Sequence, residues 1–177
     1  WYGLDSPATA DRLANGPRAL CWVAAVDDIE QAAANCGYEC GRIIEVTRGD
    51  LHWRLTVPDD GGLAAGGILP ALIEWPPGVN PVAALPDSGL ALASLKATHP
   101  DPAMVMDCLD RLGLGHLMEI TKGAPTLDFV FDSAGVAAVA GGEIDRHPPL
   151  VRALVLPLVE EALELGHVVG VRDEVLV

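Results

Sequence analysis

Glu74 is the only charge in GGILPALIEWPPG, residues 66–78, and it stands directly before Trp75 and two prolines. A carboxylate at the end of an apolar strand is costly unless it is paired, protonated or bound to a metal. Two readings stay open: an ion pair with Arg54 or Lys96 at a sheet rim, or a metal ligand or general base. In LHWRLTV, residues 51–57, strand alternation puts His52, Arg54 and Thr56 on one face and Leu51, Trp53, Leu55 and Val57 on the other. Glu74, Arg54 and His52 are therefore the catalytic candidates. Arg54 offers a forked donor to an anionic substrate, or equally a partner to Glu74 or Asp128. Lys96, Asp128 and Trp75 are the candidates for holding a substrate. His99, in THPDP, shapes the turn before a helix, and His116, His147 and His167 sit near turns or helix ends. Nucleophile, phosphate-loop and dinucleotide motifs are absent, because the glycines of GGLAAGG precede a strand and do not open a helix.

The elements that must carry these residues come in two copies. IEVTRG at 44–49 returns as MEITKG at 118–123. Around each hexapeptide the order strand, helix, strand, strand, strand recurs. Copy one runs ALCWVAAV, DDIEQAAANCG, GRIIEVTRG, LHWRLTV, ILPALIEW; copy two runs LALASLKAT, DPAMVMDCLDRLG, LMEITKG, TLDFVF, GVAAVAG. Asp27 is expected to cap the first helix, with Glu30 completing a capping box and Gly37 closing it. Asp101 and Pro102 open the second, Gly113 ends it, and Val105, Cys108, Leu109 and Leu112 form its apolar stripe.

The apolar faces of both half-sheets are expected to take the helices: Leu51, Trp53, Leu55 and Val57 in copy one, and Leu127, Phe129 and Phe131 in copy two. The polar faces then line a cup in which Glu74 meets Arg54 and His52. The proline- and glycine-rich stretch 75–89 is the linker. The first module spans about 17–75 and the second about 89–141, together one domain over 1–141. DSPATADRLANG reads as a short helix before the repeat. Residues 142–177 read as a C-terminal helical extension with Pro157 interrupting it, and HVVGVRDEVLV as a last strand.

Half of the residues are apolar and a fifth charged, as in an ordinary globular chain. A net charge of −14 with only 11 scattered basic residues argues against nucleic acid. The apolar run PPLVRALVLPLV is too short to cross a bilayer and carries Arg152. Cys21, Cys36, Cys40 and Cys108 lack zinc-finger spacing and read as reduced thiols, so the cytoplasm is the expected location. The chain begins at Trp1 without a methionine, and a segment upstream of it is expected.

RGDLHWRLTVP, GGILPALIEW and DSGLALASLKATHPDPAMVMDCLDRLGLG resemble the glyoxalase-like domain proteins of the vicinal-oxygen-chelate superfamily, from residue 1 to about 141. The resemblance implies an α+β fold of tandem βαβββ modules, forming a curved mixed sheet with helices on the convex face, here with a C-terminal helix added. It also implies a divalent metal, held through His and Glu from each module, that polarises vicinal oxygens. Glu74 matches the carboxylate at the end of a module's last strand. The first strand of copy one has no His, His99 follows its strand, and Glu143 lies beyond the last one. The other metal ligands are thus unknown. No metal is expected to bind this chain tightly, and a divalent metal is left open for the untruncated protein. Three functions follow: a lyase, isomerase or dioxygenase acting on a small oxygenated molecule; a non-catalytic protein that sequesters such a molecule; or a structural dimerisation module. A homodimer is expected, through strand pairing or packing of the terminal helix.

Overall fold

The computed structural model describes residues 19–79, 90–133, 136–140, 170–171 and 175–176, together with the isolated positions 7, 10, 11 and 14. Of the expected helix before the repeat only Pro7, Ala10 and Asp11, all helical, and Ala14 are described, while the expected helix after the repeat and most of the linker lie outside the described residues. Module one consists of β1 (Val23–Ala25), α1 (Ile29–Asn35), β2 (Arg42–Arg48), β3 (Leu51–Val57) and β4 (Ala71–Glu74). Module two consists of β5 (Leu90–His99), α2 (Pro102–Arg111), β6 (Met118–Lys122), β7 (Thr126–Ser133) and β8 (Val136–Ala140). Two short strands follow, β9 (Gly170–Val171) and β10 (Val175–Leu176). The fold is α+β, and both modules keep the expected order of elements.

The caps explain where the helices begin and end. Asp28, and not the expected Asp27, is the N-cap of α1: its Oδ1 accepts from the Gln31 N–H at 2.9 Å. Glu30 is consequently free of a capping box and turns to another partner. Asp101 caps α2, accepting from Met104 N–H at 3.1 Å, with Pro102 in the first turn. Gly37 and Gly113, both at positive φ, carry the chain out of the two helices.

The modules join differently from the expectation. In place of one curved sheet there are two, ordered β2-β3-β4-β1-β10-β9 and β6-β5-β7-β8. Both are mixed, because β1 runs parallel to β4 and β5 parallel to β6. The edge that β1 would offer to the second module is taken by β10, and β5 has β6 on one side and β7 on the other.

The sheets are linked through side chains. A single core contains Trp22, Ala24, Ile68 and Leu72 from module one and Leu95, Ala97, Leu127 and Phe129 from module two. Ile29 and Cys36 of the first helical segment and Val105, Cys108 and Leu109 of α2 lie in the same core. Each sheet therefore has an inner face toward this core and an outer face. In module two Leu127, Phe129 and Phe131 face inward, as alternation with a helix-side apolar stripe requires.

Module one corrects the reading of its faces. Thr56 is wholly buried and Leu72, which belongs to the inner core, donates its N–H to Thr56 Oγ1 at 2.8 Å. The His52–Arg54–Thr56 side of β3 is the inner one, and Trp53, Leu55 and Val57 form a separate apolar cluster on the outer face. Alternation fixes which residues share a face. It does not fix which face receives the helix.

Candidate functional site

β3 and β4 run antiparallel with Arg54 directly opposite Glu74. Arg54 Nη1 donates to Glu74 Oε1 at 3.0 Å, and its Nη2 donates to Glu30 Oε1 on the first turn of α1. The second oxygen of Glu74 accepts from the Ile29 backbone N–H at 2.8 Å. One carboxylate therefore joins β3, β4 and the start of α1, and one guanidinium bridges two carboxylates. Glu74 is the more enclosed, with a fifth of its side chain (19%) accessible against 31% for Arg54. The hydrogen bond from Arg54 holds the Glu30 carboxyl below its ordinary value, and Glu30 chiefly, with Glu74, raises Arg54 above its own. His52 is exposed, opposite Thr47 on the β2–β3 ladder, and is not part of this group.

The outer face of the same sheet is apolar. Leu55, Val57 and Ile73 are buried, and Val23, Ile44, Val46, Trp53 and Trp75 surround them. Trp53 and Trp75 are tilted by 40° with ring centroids 5.1 Å apart. The Trp75 indole Nε1 is enclosed and, among the described residues, has no hydrogen-bond partner. An enclosed unpaired donor costs about 1–3 kcal/mol, so it marks a place where an acceptor is wanted.

The remaining candidates lie elsewhere. Lys96 stands between Glu119 and Asp128 on the ladders of β5, and its Nζ is 3.5 Å from Glu119 Oε2. It does not reach Glu74. His99 Nδ1 accepts from the Asp101 N–H at 3.1 Å, which is the turn-shaping role. A small concavity beside Cys21, Cys40, Pro58, Leu69 and Pro70 has a volume of about 10 Å³, room for roughly one water and far below a substrate pocket.

Residues 3–113 match the family model of the glyoxalase-like domain. The chain belongs to the glyoxalase-like domain family. No curated protein and no solved structure matches it. The matched span takes in the whole of module one and ends just past α2.

Membership of a glyoxalase-like family raises the question of a metal, and the donor set answers it for the Glu74 cluster. Carboxylate oxygens of Asp28, Glu30 and Glu74 all lie within 4.8 Å of one another. Arg54 is bonded to two of the three, and a cation already at the centre opposes a second. Asp28 and Glu74 also each accept a backbone N–H. These residues as arranged do not fit a divalent ion.

Sequence reasoning passed over two residues here. Glu30 was visible only as a capping residue, since its contact with Arg54 depends on how α1 crosses β3. Trp53 was assigned to a helix-covered face. The available signal was the pairing of two tryptophans on neighbouring strands at like alternation, with Leu55 opposite Ile73 as the next pair on the same face.

Proposed function

We propose that this glyoxalase-like domain binds a small, flat, oxygen-bearing molecule against the Trp53–Trp75 face, without using Glu74 as a catalytic base. The Trp53–Trp75 pair carries the reading: the two rings offer stacking surface on an apolar face, and the Trp75 N–H, enclosed and without a partner among the described residues, meets a ligand oxygen when the ligand displaces what covers it. Family membership supports a small-molecule role of the vicinal-oxygen-chelate kind. The engagement of both Glu74 oxygens favours sequestration over lyase, isomerase or dioxygenase chemistry. Arg54, Glu74, Lys96 and Asp128 then serve structure. A cytoplasmic setting belongs to the same reading, supported by four cysteines that form no disulfide. Among the described residues, no helix is long and apolar enough to cross a membrane.

Coumarin, a neutral fused aromatic with a carbonyl acceptor, is a suitable probe. Saturable quenching of tryptophan fluorescence is expected, and Trp75→Phe, which keeps a ring and removes the N–H, should weaken binding by about tenfold. Quenching that never saturates, or that is unchanged in Trp75→Phe, overturns the reading.

A further inference from the structure

Among the described residues β2 ends one sheet and β6 ends the other, each with a neighbouring strand on one side only. These are the strands that carry the repeated hexapeptide. Their outer edges present unpaired backbone N–H and C=O groups, which template strand addition. Each edge carries the same charge pattern, acid then base three residues on: Glu45 and Arg48 in β2, Glu119 and Lys122 in β6. All four side chains are exposed. Among the described residues Glu45, Arg48 and Lys122 have no ionic partner, while Glu119 has Lys96.

The pattern selects one pairing. Parallel alignment of the two hexapeptides sets Glu45 against Glu119 and Arg48 against Lys122, like on like. Two copies of β2 about a two-fold axis cannot oppose Glu45 to Arg48, because facing residues of an antiparallel pair share a face and these two lie on opposite faces. The same holds for Glu119 and Lys122 in two copies of β6. Antiparallel β2 on β6 has neither fault. Glu45 then faces Lys122, Val46 faces Thr121, Thr47 faces Ile120 and Arg48 faces Glu119.

The faces agree as well. Glu45 and Thr47 lie on the inner side with Arg54, and Lys122 and Ile120 lie on the inner side with Leu95 and Ala97. In one chain these edges belong to sheets that meet through their inner faces, so the pairing needs a second chain. We propose that β2 of one copy adds antiparallel to β6 of another in this register, and that reciprocal pairing closes a dimer with both edges used. This stands apart from the ligand reading, since it rests on the free edges of β2 and β6 and not on Trp53 or Trp75 of β3 and β4, although Arg48 shares the outer face of the sheet with them.

Sedimentation of the full chain across a concentration series tests it. The wild type should self-associate. Reversing one edge, by Glu45→Lys with Arg48→Glu or by Glu119→Lys with Lys122→Glu, should weaken association at least about tenfold. All four changes together restore opposite charges at every facing pair and should bring it back to within about threefold of the wild type. Far-UV circular dichroism checks that each variant is folded. A monomer at every concentration, association indifferent to either reversal, or a fourfold variant that stays weak each overturns the pairing.

Discussion

Arg54 and Glu74 face each other across β3 and β4, and their 3.0 Å ion pair is continued on one side by Glu30 and on the other by the Ile29 N–H. The two residues with the clearest chemical look in the sequence thus fasten the helix of module one to its sheet. Their removal should be felt as stability.

Glu74→Ala strips Arg54 of one partner and leaves the Ile29 N–H unpaired, and should cost about 2–3 kcal/mol. Glu74→Gln keeps an acceptor for Ile29 and should cost about 1 kcal/mol. Urea unfolding of both variants checks the order, and equal midpoints would count against the clamp.

Acid should weaken the same clamp through Glu30. Its folded value is depressed, so its contribution is complete above the ordinary value of 4.5 and is lost as pH falls through the lowered one. Glu30→Gln, which cannot ionise, should show a flatter loss of melting temperature between about pH 5 and 3 than the wild type. Parallel slopes would argue that Arg54 holds Glu30 only loosely.

How much of this was legible varies with the kind of constraint. The strands β2 and β3, the cap at Asp101, the exits at Gly37 and Gly113 and the inward stripe of Leu127, Phe129 and Phe131 all follow from local pattern, and each is found. The inverted face of β3 was not legible. Thr56 looks polar, yet in burial it spends its hydroxyl on the Leu72 N–H, and so behaves as an inner residue. The partners of Glu74 were half legible. Strand pairing supplies Arg54, whereas Glu30 and Ile29 arrive with the crossing of α1, which no periodicity encodes.

Thr56→Val tests that account of the inner face. It preserves shape and β-propensity but leaves the buried Leu72 N–H unpaired, and should cost about 1–3 kcal/mol. Thr56→Ser, which retains the acceptor, should cost less. The comparison is made by urea unfolding, and a neutral Thr56→Val would mean that the hydroxyl is dispensable.

Thiol chemistry should sort the four cysteines. Burial, helped by the neighbouring Cys36, pushes the Cys40 thiol up to about 12, and burial also raises Cys108. Both stay protonated at neutral pH and are poor nucleophiles. Cys36, buried, donates weakly to the carbonyls of Ala33 and Tyr38. Brief treatment of the folded chain with iodoacetamide should label Cys21, the most accessible of the four, well ahead of the others, with all four labelled in denaturant. Peptide mass spectrometry reads the result, and early labelling of Cys40 would contradict its enclosure.

The shared core between the sheets has a bearing on how the chain comes apart. The helix-side interior belongs to both repeats: α1 and α2 sit in one apolar cluster, and Cys108 Sγ lies 3.6 Å from the Gly37 carbonyl across the junction. Opening one half strips the other of its packing, so the two halves form one cooperative unit in spite of their repeated sequence. Amides of Leu72 and Leu95, one in each repeat, should then exchange with solvent at nearly the same free energy, through the same global event. The duplication is visible in the letters and erased in the thermodynamics.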